Sequence, residues 1–258
     1  MPHPDLAIHP ALWQACRPAS GLRPVLPTGH AALDAALADG GWPRGALSEL
    51  LLPATGVGEL PLLLPALTAH ADGGGWLLLV NPPHRLYLPA WQAAGMDSAR
   101  LVTLHPDGAE PLWWSAEQAA RVPGCAVLVW AGDHAPATRV LRRLQLAARD
   151  GDAFCALLRP AAAHRQASPA ALRLQLAAGE RGHTRVTVLK QRGGFGGTSV
   201  TLPLHAARAL PRLAPWQLPV HGPDTRTTVP APPPREQAAV GDDAGAPAVA
   251  SAWPGSPS

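Results

Sequence analysis

The chain has almost no lysine, only three cysteines and no long uncharged apolar run. Lys190 is its single lysine, and a formal net charge of +3 is too small to indicate a nucleic-acid-binding protein by itself. Cys16, Cys125 and Cys155 form no Cys-x-x-Cys pair, which argues against a structural zinc site. No apolar run reaches the roughly 18 residues of a membrane-spanning helix, and the N-terminus lacks a secretory signal pattern. We therefore expect a cytoplasmic protein without metal, cofactor or membrane anchor.

Apolar residues instead follow the patterns of buried strands and amphipathic helices. Four largely apolar runs read as buried strands and alternate with helical patterns: 46–53, 73–81, 125–132 and 153–160. Three later segments alternate apolar and polar residues, as half-exposed antiparallel strands do: 171–179, 184–191 and 198–204. This order predicts an α/β fold with a central, largely parallel sheet and an antiparallel flank.

The regular pattern occupies only the middle of the chain. Residues 1–27 are a proline-rich lead segment, residues 28–212 carry the strands and helices, and residues 213–258 are rich in proline, alanine and glycine. A segment of that last composition cannot bury enough apolar surface to fold, so we expect a disordered C-terminal tail after one core domain.

Residues 48–67 read as a buried strand, a glycine turn and an apolar helix, which is the arrangement of a nucleotide-binding P-loop. The functional motif is Gly-x4-Gly-Lys-Ser/Thr. The corresponding positions here include Pro53, Thr55, Gly56, Gly58, Glu59 and Leu60. Only the second glycine of the motif, Gly58, is kept.

Each departure from this motif removes a physical function. Glu59 places a negative charge where a lysine should meet the phosphates, and Leu60 has no hydroxyl for Mg²⁺. Pro53 has no N–H to donate. Lys190 cannot replace the missing lysine, since no glycine turn and helix follow it. The loop is therefore predicted to bind no nucleotide.

The segment 28–51, TGHAALDAALADGGWPRGALSELL, resembles the start of the RecA-type ATPase core. The matching residues are Thr28, Gly29, Ala32, Leu33, Asp34, Gly40, Gly41, Pro43, Gly45 and Glu49. The order of elements continues the resemblance over residues 28–204. The particular sequences LLLPATGVGELPLLLPAL, LKQRGGFGG and PLHAARAL resemble the ImuA family, RecA-like and SulA-related proteins of SOS-linked translesion DNA synthesis.

The RecA resemblance also implies two carboxylates that this chain lacks. A glutamate that activates water should follow the strand WLLLVN, but Asn81, Pro82 and Pro83 stand there. The aspartate that supports Mg²⁺ should end the strand CAVLVW, where Trp130 stands, and Asp133 comes three residues later. Phosphoryl transfer depends on such positioned charges, so we expect no ATP hydrolysis.

The ImuA resemblance implies a non-catalytic adaptor in error-prone translesion synthesis. Its implied partners are an ImuB-type pseudo-polymerase, a DnaE-type error-prone polymerase and RecA, with weak or indirect DNA association and a nucleoid location when engaged. Two alternatives remain open: a SulA-like division inhibitor that binds FtsZ, and a RecA-like ATP-binding switch or DNA-dependent ATPase.

Several aromatic and arginine side chains predicted to lie on the surface are candidates for contacts with partner proteins or DNA. Exposed aromatic residues concentrate binding energy, and the candidate partner anchors are Phe195 (in a GGFGG hairpin tip), Trp216 and Trp253. Arginines meet phosphate backbones, and the candidate DNA contacts are Arg139, Arg142, Arg143, Arg159 and Arg165. The competing interpretation is that these arginines only solvate a helix face and a surface loop, and we favour it.

Overall fold

An eight-stranded sheet with helices on both faces carries the described part of the chain. The computed structural model describes residues 24–180 and 182–204. Its strands are β1 Val25–Leu26, β2 Trp42–Pro43, β3 Ala46–Leu52, β4 Trp76–Val80, β5 Leu101–Leu104, β6 Cys125–Trp130, β7 Phe154–Pro160, β8 Leu172–Ala178, β9 Thr184–Gln191 and β10 Ser199–Leu202. Its helices are α1 Ala31–Ala36, α2 Glu59–Asp72, α3 Leu88–Ala93, α4 Ala109–Arg121 and α5 Thr138–Asp150, with 3₁₀ turns at Ser98–Arg100 and Ala161–Arg165.

The strand order in the main sheet is β10-β9-β8-β3-β7-β6-β4-β5. All pairs from β8 to β5 are parallel, whereas β9 and β10 run antiparallel to their neighbours. The short strands β1 and β2 form a separate antiparallel pair. The predicted α/β fold with a parallel centre and an antiparallel flank is thus confirmed.

The central strands read as continuous apolar runs because both faces of the sheet are covered. In β6, Ala126 and Leu128 pack into one core and Val127 and Val129 into another. The α2-side core contains buried residues of α1, α2 and α3, and the α5-side core contains those of α4 and α5. Side-chain alternation along each strand therefore supplies two separate apolar layers.

One detail differs from the prediction. The segment 171–179 was predicted as a half-exposed antiparallel strand, but β8 pairs in parallel with β3 and antiparallel with β9. Leu172, Arg173 and Leu174 are all buried. Because Arg173 is paired inside the protein, its polarity does not mark an exposed face.

The Thr28–Gly29 turn, which carries part of the RecA resemblance, holds α1 against α2. The buried Thr28 donates its N–H to Asp34 Oδ1 at 3.0 Å. Gly29 has φ +78°, and a Cβ there would lie 2.3 Å from Pro65 Cβ in α2. Only glycine fits such a close approach, so this part of the motif has a packing role.

Residues 1–23 and 205–258 lie outside the described residues. The predicted disordered tail and the candidate anchors Trp216 and Trp253 fall there. Within the described ranges, no helix combines the length and the apolar character needed to cross a membrane.

Candidate functional site

The predicted strand–turn–helix arrangement is present where the P-loop motif is degenerate. Strand β3 ends at Leu52, and α2 begins at Glu59 with Gly58 as its N-cap at φ +108°. Gly56 also has a left-handed backbone, with φ +83°. Turns of this kind, placed before a helix N-terminus, direct backbone N–H groups toward one point and form an anion-binding position. The backbone frame of a phosphate site therefore survives.

Glu59 occupies the lysine position of the motif and turns back into the loop. Its Oε1 accepts a hydrogen bond from the Gly56 N–H at 2.7 Å. The residue is only 5% exposed, and among the described residues its buried Oε2 has no hydrogen-bond partner. A carboxylate thus lies against the loop where a bound phosphate would be expected.

The end of the loop next to α2 is held by contacts with the protein interior. Val57 and Leu60 both pack against the α2-side core. Thr184, at the start of β9, is fully buried and donates its hydroxyl to the Val57 carbonyl oxygen at 2.7 Å. Leu60, at the position of the Mg²⁺-binding hydroxyl, therefore serves the core rather than the loop surface.

The ends of β4 and β6 are joined by a neutral hydrogen bond. Asn81 follows β4 and donates its side-chain Nδ2 to the Trp130 carbonyl oxygen at 3.0 Å. Asp133 is exposed in the loop after β6. Over residues 24–180 and 182–204, no three His, Cys, Asp or Glu side chains form a cluster able to hold a metal ion. Asn81 and Trp130 therefore stand at the two strand ends where the RecA resemblance implies a glutamate and an aspartate.

A buried ion cluster is centred on Glu49 in β3. Glu49 in β3 is fully buried, and its Oε1 accepts Arg159 Nη1 at 2.9 Å and Ser168 Oγ at 2.9 Å. Its Oε2 accepts Arg173 Nε at 2.7 Å. The carboxylate therefore bridges three neighbouring strands, since β7 and β8 both flank β3.

The cluster also fastens the segment that follows β7. Arg173 Nη2 donates to the Ala163 carbonyl oxygen at 2.8 Å, and Arg159 Nη2 donates to Gln166 Oε1 at 2.5 Å. Lys190 Nζ donates to the Ser168 carbonyl oxygen at 2.9 Å. Partial burial lowers the pKa of Lys190. The segment between β7 and β8 is thus held on the sheet by charged side chains.

The arginines predicted as candidate DNA contacts are not equivalent. The placement of Arg159 in a solvated loop was wrong: it is 3% exposed and paired with Glu49, because it belongs to β7. Arg139, Arg142 and Arg165 are exposed. Arg143 is exposed but pairs with Glu117 of α4. Arg139 and Arg142 on α5 and Arg165 in the 3₁₀ turn remain as surface candidates.

Phe195 lies in the loop between β9 and β10 and is 93% exposed. The backbone beneath it is held, since Gln191 Nε2 donates to the Phe195 carbonyl oxygen at 2.8 Å. Gln191 Oε1 in turn accepts the Ala38 N–H at 2.7 Å, which joins the hairpin to the segment after α1. The ring therefore stands in solvent on a supported loop.

Sequence reasoning missed the roles of Glu49, Arg159 and Arg173. Charged residues are almost never fully buried unless they are paired. Glu49 and Arg159 stand in largely apolar strands, ALSELLL and AFCALLRP, and that placement was an available signal for a buried ion cluster. Arg173 stands in the alternating segment ALRLQL, where the pattern predicts an exposed position.

Fold and site together define an α/β domain with a strand, a glycine turn and a helix in P-loop order, with Glu59 and Leu60 at the lysine and hydroxyl positions of that motif. The chain is 34% identical to RecA of Thermus aquaticus over 105 residues, 41% of this chain and 31% of that protein. It is 37% identical to RecA of Streptomyces ambofaciens over 86 residues, 33% of this chain and 23% of that protein. The chain thus spans about a quarter to a third of the length of these curated relatives. No family model matches it.

Proposed function

We propose that the protein is a non-catalytic RecA-like adaptor in SOS-induced, error-prone translesion DNA synthesis. The observation that carries the proposal is the loop itself: within a strand–turn–helix of P-loop order, the lysine position holds a buried Glu59. Leu60, at the hydroxyl position, packs into the α2-side core. A domain that keeps this frame without its charges is suited to protein contacts rather than to phosphoryl transfer.

The strand ends support the same proposal. A P-loop ATPase needs carboxylates near the phosphates to position water and Mg²⁺. Here the Asn81 amide and the Trp130 carbonyl satisfy one another. Restoring hydrolysis would therefore need changes at several separate positions, in the loop and at both strand ends.

The proposed partners rest on the ImuA resemblance: an ImuB-type pseudo-polymerase, a DnaE-type error-prone polymerase and RecA. The exposed Phe195 is one surface suited to such contacts, because a buried aromatic anchor concentrates binding energy at an interface. DNA association through Arg139, Arg142 and Arg165 would be weak. We place the action of the complex in the cytoplasm, at the nucleoid.

Nucleotide binding is the first test. Full-length protein is titrated with a fluorescent ATP analogue in the presence of Mg²⁺, with a catalytic RecA protein as the positive control. We expect no saturable binding. Saturation in the micromolar range would overturn the non-catalytic assignment and favour the ATP-binding switch.

Assembly is the second test. The full-length protein is co-expressed with the two polymerase-type partners, and complex formation is followed by co-purification and size-exclusion chromatography. We expect a stable complex, and we expect deletion of residues 213–258 to weaken it. If no complex forms and overexpression instead blocks cell division, the FtsZ-binding alternative replaces the adaptor.

A further inference from the structure

The start of α2 has the properties of an anion-binding position. The helix has 14 residues, and its first intrahelical hydrogen bond runs from the Leu62 N–H to the Gly58 carbonyl oxygen at 2.9 Å. The N–H groups ahead of that bond have no partner within the helix and carry the positive end of its dipole. Gly56 and Gly58, in the turn ahead of the helix, both have left-handed backbone conformations.

One side chain is already aimed into this position. Glu59 Oε1 takes the Gly56 N–H at 2.7 Å, and Oε2 is buried with no hydrogen-bond partner among the described residues. Burying a carboxylate with one oxygen unpaired is costly unless a local positive field compensates. The N-terminus of α2 supplies that field.

A helix start does not bury a glutamate by itself, as α4 shows. That helix also follows a glycine N-cap, Gly108, and carries Glu110 in its first turn. Glu110 is exposed, whereas Glu59 is buried. The loop before α2 donates the Gly56 N–H to Glu59 at 2.7 Å, whereas no hydrogen bond to Glu110 is found among the described residues.

We propose that Glu59 is a built-in ligand of the degenerate P-loop. Its carboxylate occupies the Gly56 N–H of the loop ahead of α2, holds the loop in a ligand-bound shape, and keeps phosphate-bearing molecules out by occupancy and by charge. The loop is then ordered without a bound nucleotide. The proposed translesion role does not itself require a nucleotide. Removing the carboxylate should uncover a site for phosphate-class oxyanions.

Inorganic pyrophosphate is the probe for the uncovered site. Full-length protein and its Glu59→Ala and Glu110→Ala variants are titrated by calorimetry at constant ionic strength. We expect Glu59→Ala to bind pyrophosphate at least about tenfold more tightly than the unaltered protein. Glu110→Ala carries the same change in net charge at an exposed helix start, so it should match the unaltered protein.

Equal affinities for Glu59→Ala and Glu110→Ala would overturn the proposal, as would tight pyrophosphate binding by the unaltered protein. A second measurement covers the case in which Glu59→Ala does not fold. Hydrogen exchange of the Gly56 amide in the unaltered protein should be at least about tenfold slower than in an unstructured chain. Exchange at the unstructured rate would show that Glu59 does not hold the loop.

Discussion

Replacing Glu49 with glutamine would leave two buried arginines around a neutral side chain. The amide oxygen can still accept from Arg159 and Ser168, as Oε1 does at 2.9 Å. The amide Nε2 would then stand where Oε2 accepts from Arg173 Nε at 2.7 Å. Two donors would face one another in the interior, with the negative charge gone and both positive charges kept.

The expected loss of stability follows from that geometry. Removing one partner of a buried ion pair costs about 3–5 kcal/mol, because the remaining charge is left buried. Native domains have free energies of unfolding of about 5–15 kcal/mol, so the expected loss is a large fraction of the stability of the domain. With about 2–4 °C of Tm per kcal/mol, the Tm of Glu49→Gln should fall by roughly 6–20 °C.

Urea denaturation followed by circular dichroism measures this loss, with Asp152→Asn as the matched control. Asp152 pairs with Arg44 at 2.8 Å, but both side chains are substantially exposed. Exposed pairs contribute about 0–1 kcal/mol, so Asp152→Asn should change little, and asparagine tolerates the φ of +45° at that position. If Glu49→Gln is no more destabilising than Asp152→Asn, the buried cluster does not stabilise the sheet as argued.

Three further outcomes are expected. Thr184→Val should lower the free energy of unfolding by about 1–3 kcal/mol and speed hydrogen exchange in the loop, because the Val57 carbonyl oxygen loses its 2.7 Å hydrogen-bond partner. The control is Thr187→Val, which removes an exposed hydrogen bond to Ser199 from the same strand and should not change hydrogen exchange in the loop. Burial raises the pKa of Cys155 to about 12, so its thiol stays protonated at pH 8. The thiol should therefore resist alkylation by iodoacetamide, followed by mass spectrometry, until the protein is unfolded. Rapid labelling of the native protein would contradict this prediction. Phe195→Ala should leave Tm unchanged yet weaken the proposed complex in co-purification, and an intact complex would remove Phe195 from the interface.

The loop between β3 and α2 shows which structural features a local sequence pattern can predict. The sequence alone placed a strand before Pro53, a turn at Gly58 and a helix from Glu59, and the structure has each of them. It also identified Glu59 as a negative charge in a lysine position. It did not predict that this carboxylate would accept the Gly56 N–H, because side-chain direction at a helix start depends on how the preceding loop folds over it.

The contacts among the buried charged residues of the sheet could not be predicted from local sequence. The RecA resemblance included Glu49, and Arg159 was interpreted as part of a solvated loop after the strand AFCALL, but no local sequence feature indicated that the two residues are in contact. Arg159 lies 110 positions after Glu49 and Arg173 lies 124 positions after it. Their contact depends on β7 and β8 lying on either side of β3.

The sequence by itself determined the main strands and helices and the α/β class, and it identified Glu59 and Leu60 at two positions of the P-loop motif, since these depend on residue type and near neighbours. Tertiary structure alone decided which charges are buried and paired. It placed Arg159 beside Glu49, packed Leu60 into the α2-side core and turned Glu59 into its own loop. The physical reason is that burial and pairing are properties of strand order and loop closure, which bring together residues far apart in the chain.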